Sequence, residues 1–143
     1  MNEHVLEMIE LELAILIRRT TSISSHKKFG NLDRSAYLLL HQIISNGAAG
    51  VKALAGEFQL DISTVSRQTA ALEQKGYVYR IPDPLDGRAY SLEITELGKK
   101  EYTENKRERL TRIVEVLESW SEEESRVFGE LLKKFNQSAI QEQ

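Results

Sequence analysis

Residues 80–95, RIPDPLDGRAYSLEIT, constrain the fold more than any other stretch of the chain. Both prolines, Pro82 and Pro84, fall here, shortly before Gly87 and Arg88. Proline fixes φ and lacks an N–H, so the segment cannot continue a helix. The flanking runs, YVYRI and AYSLEI, are rich in β-formers. Tyr90, Leu92 and Ile94 alternate with Ser91 and Glu93 at the period of a strand. PDPLDGR, with its Pro and Asp-Gly turn chemistry, then reads as a hairpin loop.

The rest of the chain has the three-to-four spacing of amphipathic helices. Val5, Leu6, Ile9, Leu13, Leu16 and Ile17 form a stripe on a first helix, and TTSISSHKKFGN breaks it into a loop or frayed end. Asp33 is placed to cap RSAYLLLHQIISNG, whose Tyr37, Leu40, Ile43 and Ile44 turn inward. Val51, Leu54, Ala55 and Phe58 mark a short helix, and Asp61 caps the next, ISTVSRQTAALEQKG. Thr95 caps a long helix carrying Leu110, Ile113, Val114 and Leu117, with Trp120 one turn on. Ser121 and Glu124 have capping-box spacing ahead of a last helix with Phe128, Leu131, Leu132 and Phe135.

The 143 residues, 41% hydrophobic and 29% charged, predict a single soluble domain spanning 1–143. No apolar run approaches the roughly 18 residues of a membrane span. The acidic N-terminus lacks the basic region of a secretory signal, so no membrane partner is expected. With no cysteine there are no disulfides, thiolate metal sites or thiol-based peroxide sensing, which suits a cytoplasmic address. The net charge of −3 argues mildly against indiscriminate nucleic-acid binding, but five Glu lie in 119–143. The window 61–90 balances four acids with four bases, so a DNA surface there must be local.

Two short helices joined by a turn and followed by a hairpin make a winged helix-turn-helix. At about 100° per residue, Val65, Thr69 and Leu72 of the second helix point into the core. Ser63, Thr64, Arg67, Ala71 and Gln74 point outward, with Gln68 on the flank and Ser66 lateral. That face is short, polar and free of Asp and Glu over 62–72. Small residues admit the helix to a major groove, hydroxyls reach phosphates or base edges, and Arg67 can fork onto guanine. Exposed amides at the helix start would add a phosphate contact. Lys52 and Arg34 read as ordinary exposed cations. In the wing, Gly87 is expected to permit a sharp turn and Arg88 to enter a narrow minor groove. Gln59 stands where the turn often has Gly, and EFQLDIS is expected to turn without one.

DPLDGR resembles the wing of the multiple-antibiotic-resistance regulator (MarR) family, in which D-x-x-D-x-R precedes a strand ending in LT or a variant, then Gly. Here the loop is Asp83 to Arg88, followed by LEITELG, and STVSRQTAALEQKGYVYR is similar to the family's recognition helix and its exit. By motif the resemblance covers 33–100, and by helix order the whole chain. It implies a mainly α fold with a β-hairpin wing, the winged helix-turn-helix over 33–95 and helical dimerisation regions over 1–28 and 96–140. It implies a homodimer on double-stranded DNA and an Asp86 that orients Arg88 through a charge-assisted hydrogen bond. It also implies a small aromatic or anionic effector that releases DNA, with Phe29, Tyr37 and His41 lining its cleft and Arg18 or Arg19 as anion partner.

The expectation is therefore a transcriptional regulator, a repressor rather than an activator, at a pseudo-palindromic operator in the cytoplasm of a bacterium or archaeon, at its nucleoid. Ser63, Thr64, Ser66, Arg67 and Gln68 would read the major groove, and Asp86, Gly87 and Arg88 would form the wing contact. His4, His26 and His41 lack zinc-ligand spacing, so no metal or cofactor is expected. No nucleophile–base set or phosphate loop points to an enzyme. The alternative is a winged-helix module for protein–protein contact, which the acidic balance and few bases on the recognition face favour.

Overall fold

The computed structural model describes residues 1–26 and 32–141. Six helices and one hairpin follow in the order α1 (Glu3–His26), α2 (Arg34–Asn46), α3 (Val51–Phe58), α4 (Ile62–Gln74), β1 (Val78–Pro82), β2 (Tyr90–Ile94), α5 (Glu96–Val116) and α6 (Glu122–Gln141). The chain divides into two compact units, Met1–Lys106 and Arg107–Gln143. The expected break after residue 19 does not occur, and α1 continues to His26. Its polar residues from Thr20 weaken helix propensity, but no Pro or Gly interrupts the backbone there.

Helix ends follow the capping residues. Asp33 accepts from Ala36 N at 2.8 Å and starts α2, while Gly47, at φ +85°, ends it with its N–H on the Ile43 carbonyl. Between α3 and α4, Gln59 adopts the left-handed conformation at φ 53° and ψ 41°. The turn closes without glycine, as expected, and Gln59 itself adopts the geometry that glycine usually supplies. The Gln59 N–H bonds the Gly56 carbonyl and the Leu60 N–H the Ala55 carbonyl, closing α3.

β1 and β2 pair antiparallel, with Val78 opposite Ile94, Arg80 opposite Leu92 and Pro82 opposite Tyr90. Ala49 extends this sheet by a bridge to Leu92, exchanging two backbone hydrogen bonds of 3.2 and 2.8 Å. The α2–α3 connection is thereby tied to the base of the wing. The core of the first unit gathers Leu39, Leu40 and Ile43 of α2, Leu54 of α3, Val65 and Leu72 of α4, and Val78 and Leu92 of the hairpin. Each such side chain contributes about 1.5–3 kcal/mol when fully buried.

Thr95 joins wing and helix. Its N–H bonds the Tyr77 carbonyl, its hydroxyl donates to the Gly76 carbonyl at 2.6 Å, and it accepts from Gly98 N at 3.0 Å as the cap of α5. The inward face of α5 in this unit is Gly98, Tyr102 and Asn105. Asn105, fully buried, donates to the Leu32 carbonyl and so holds the segment ahead of α2. In the second unit, Ser121 and Glu124 form the expected capping box, each side chain accepting from the other's N–H, and Trp120 packs on Phe128 at 5.3 Å.

Candidate nucleic-acid interface

Asp61 organises the start of α4. Its carboxylate accepts from Thr64 N at 2.6 Å and from the Ser63 hydroxyl at 2.9 Å. Bonds from the Thr64 hydroxyl and amide, then the Ser63 hydroxyl, and the nearby Arg67 charge hold this carboxyl below its ordinary value of 3.8. The Thr64 amide is therefore occupied by the protein's own carboxylate. One of the helix-start amides expected for phosphate is thereby taken, and the outward side chains carry more of the face. Val65, Thr69 and Leu72 are buried as the helical angles predict, and Thr69 donates to the Ser66 carbonyl at 3.1 Å.

The outward set comes to one face. Ser63, Ser66 and Arg67 are exposed and Thr64 is half-buried. The Arg67 Nη2 lies 3.5 Å from the Thr64 hydroxyl, so the guanidinium rests over the first turn of its helix. Gln68 is half-buried and its Oε1 is buried without a hydrogen-bond partner among the described residues. It flanks the face and points part of its amide inward.

In the wing, two aspartates shape the loop through backbone amides. Asp83 accepts from Leu85 N at 2.8 Å and Asp86 from Arg88 N at 3.0 Å, while Ala89 N closes a turn on the Asp86 carbonyl. Asp86 thus orients Arg88 through its main chain rather than its guanidinium. The charge-assisted bond to Asp86 has the Arg88 amide as its donor, because the turn brings that amide to the carboxylate. Gly87 does not have a positive φ, and a Cβ there would meet nothing within 4 Å. The expected need of the turn for glycine is accordingly corrected: the Asp86 turn closes without it. The Arg88 side chain is exposed and has no ion pair among the described residues.

Two further residues join helix and wing without any sequence pattern having marked them. Arg80 of β1 places its Nε 2.9 Å from Glu73 Oε2 of α4 and its guanidinium carbon 4.2 Å from the Tyr90 ring centre. A charge on a strand and another near a helix end are ordinary in sequence, and the hairpin register alone brings them together.

Of the residues expected around an effector, Tyr37 and His41 come together on α2. Tyr37 stacks on Tyr102 at 5.0 Å, and His41 Nδ1 is hydrogen bonded to the Tyr102 hydroxyl at 2.7 Å. Burial, then the bond to Tyr37, pushes the Tyr102 hydroxyl up to about 12. Tyr102 itself carried no sequence signal beyond its helix. Arg18 and Arg19 are exposed on α1 and make no hydrogen bond or ion pair with this cluster among the described residues. Phe29 lies outside the described residues. Among the described residues no group of carboxylates and histidines could hold a metal ion.

A helix-turn-helix with an adjoining hairpin and a long following helix defines a winged-helix regulator. Residues 32–90 match the sequence model of the MarR family. The chain is 48% identical over 140 residues to a Bacillus subtilis (strain 168) protein named uncharacterized HTH-type transcriptional regulator YxaD, covering 97% of this chain and 98% of that one. It belongs to the MarR family and is a transcriptional regulator of that family. A MarR family protein from Bacillus stearothermophilus has a similar structure, with a TM-score of 0.76 at 26% identity over 98% of this chain and 99% of that one. Streptococcus pneumoniae FabT, solved in complex with DNA, shares the fold, with a TM-score of 0.68 at 20% identity over 99% of both chains. No helix among the described residues is long and apolar enough to cross a membrane.

Proposed function

We propose that this regulator is a homodimeric repressor that occupies a pseudo-palindromic operator, with α4 in the major groove and the wing in the adjacent minor groove. The observation that carries the reading is the pairing of two exposed guanidinium groups, Arg67 on an acid-free helix face and Arg88 on a pinned loop. Arg67 forks onto a guanine edge, Ser63, Thr64 and Ser66 add hydroxyl contacts, and Gln68 tunes sequence preference from the flank. Arg88 is drawn to the negative potential of a narrow groove, and Asp86 holds its backbone in place. The similarly folded FabT was solved in complex with DNA, which supports a DNA partner.

Dimerisation over 1–28 and 96–140 is supported by apolar side chains that stay exposed in one protomer. Val5, Leu6, Ile9 and Leu16 of α1 and Phe128, Leu131, Leu132 and Phe135 of α6 are each at least 40% exposed. Faces this apolar on a water-soluble regulator mark an association surface. The Tyr37–His41–Tyr102 cluster supports a site for a small aromatic or anionic effector that favours a dimer with misplaced recognition helices. Such a regulator works in the cytoplasm of a bacterium or archaeon, at its nucleoid.

The test is fluorescence-anisotropy binding to DNA tiled across the gene's own upstream region at two salt concentrations. The expected result is tight, salt-sensitive binding to one tile, lost when Arg67→Ala and Arg88→Ala are combined. No tile binding above background, and no DNA recovered in a genome-wide selection, would instead favour the protein-contact role.

A further inference from the structure

The hairpin face that carries Val78, Leu92 and Ile94 is buried in the core, yet Arg80 stands on that same face between Val78 and Pro82. Strand alternation puts an apolar side chain there if the core continues. The core does not continue, because residues 79–89 are all exposed. Arg80 is thus the first exposed side chain on the inner face of β1, with only Pro82 beyond it on that face before the wing loop.

Its guanidinium is engaged at Nε and on one face. Nε lies 3.1 and 2.9 Å from the two carboxylate oxygens of Glu73, in the last turn of α4. The guanidinium carbon sits 4.2 Å over the ring of Tyr90, which faces Pro82 across the hairpin. A cation at that distance is attracted by the ring face, and a planar guanidinium can stack and pair at once where an ammonium cannot. Three elements meet at one side chain: the recognition helix, the outgoing strand and the returning strand.

We infer that Arg80 is a positioning residue that fixes the angle between recognition helix and wing through Glu73 and Tyr90, and so sets how Arg67 and Arg88 reach DNA together. The inference rests on the DNA-binding reading above. Glu73 already neutralises Arg80, so its charge serves this joint and not a phosphate. An exposed ion pair alone is worth little. Its weight here comes from leverage, since a small rotation at the base of the wing displaces Arg88 at the tip.

The variants Glu73→Gln, Arg80→Lys and Arg80→Ala, compared on an operator, decide the matter. Each should weaken binding about fivefold or more, and Arg80→Ala should lower the slope of affinity against salt by no more than Arg88→Ala does. Arg88→Ala should then cost less in the Arg80→Ala background than in the wild type, because a misdirected wing no longer delivers that residue. If Arg80 instead touches a phosphate, its slope loss adds to that of Arg88→Ala in the double variant, Arg80→Lys binds nearly normally and Glu73→Gln binds tighter. Any of those results overturns the inference, as does a strictly multiplicative Arg80→Ala/Arg88→Ala double variant. Hydrogen exchange on the free protein separates this failure from that of the DNA reading. Faster exchange of the Asp83 and Ala89 amides in Glu73→Gln is expected, and unchanged exchange overturns the joint even where no DNA is bound. A wild type that binds no DNA overturns the functional reading instead.

Discussion

A Cβ at Gly98 would overlap the carbonyl oxygen of Tyr77 and stand 2.8 Å from Ile94 Cγ1. Backbone cannot yield as a flexible side chain does, so α5 would have to back away from the hairpin and strain the three Thr95 bonds. Gly98→Ala is expected to lower stability by about 3 kcal/mol, read from urea unfolding with an unchanged slope. Gly87 makes the opposite case. It has open space and no positive φ, so Gly87→Ala should leave stability within about 0.5 kcal/mol of wild type. If the same variant binds an operator more weakly, the glycine is there for the approach of DNA and not for the fold. A large fall in stability on Gly87→Ala would contradict the turn described for the wing.

Among the elements, those with local signals were legible in the sequence. Asp33 and Asp61 announce the starts of α2 and α4, and Ser121 with Glu124 that of α6. Alternation at Tyr90, Leu92 and Ile94 announces β2. What escaped depends on contacts between elements. The Ala49 bridge joins residues far apart in sequence, and Arg80 looks like any strand-borne charge until the register sets it beside Tyr90. Thr95 announces the start of α5, but the inward face of its first turns was illegible: it is Gly98, Tyr102 and Asn105, which no hydrophobic period can find. That face has a consequence at high pH. Burial raises the hydroxyls of both Tyr77, with help from Glu101, and Tyr102 above the ordinary 10.0. Both stay protonated in the folded chain where unfolded tyrosines ionise, so this stabilisation is whole below pH 10 and is lost as the pH rises through the folded values, about 12 for Tyr102. Thermal melts across that range should show the loss, with tyrosinate absorbance rising in step. Tyr102→Phe should cost about 1 kcal/mol at neutral pH by removing the bonds to His41 and Tyr37, and should flatten the alkaline decline. An alkaline profile identical to that of wild type would show that Tyr102 is not the group responsible.

At the scale of the whole molecule, the recognition face offers few contacts, and one winged helix cannot by itself bind an operator tightly. Arg67 and Arg88 are its exposed cations on helix and wing tip, Ser63, Ser66 and Gln74 its exposed neutral polar side chains on the helix, and Asp61 already fills part of the anion-binding end of α4. On the proposed reading, sequence-specific affinity comes from two copies on two half-sites, linked so that the second contact is effectively intramolecular. The exposed Leu131 and Phe135 lie four apart on α6, hence on one face, and carry no charge that would resist a partner. Changing both to Glu places two carboxylates on that face without disturbing the core of the winged unit. The double variant is expected to sediment as a monomer and to lose about 100-fold or more in affinity for a complete operator. Its affinity for a single half-site should match that of the wild type, because α4 and the wing are untouched. Wild-type mass in sedimentation would remove α6 from the dimer contact. Wild-type affinity for the full operator from a true monomer would mean instead that one winged helix suffices, and the argument from the sparse recognition face would be wrong.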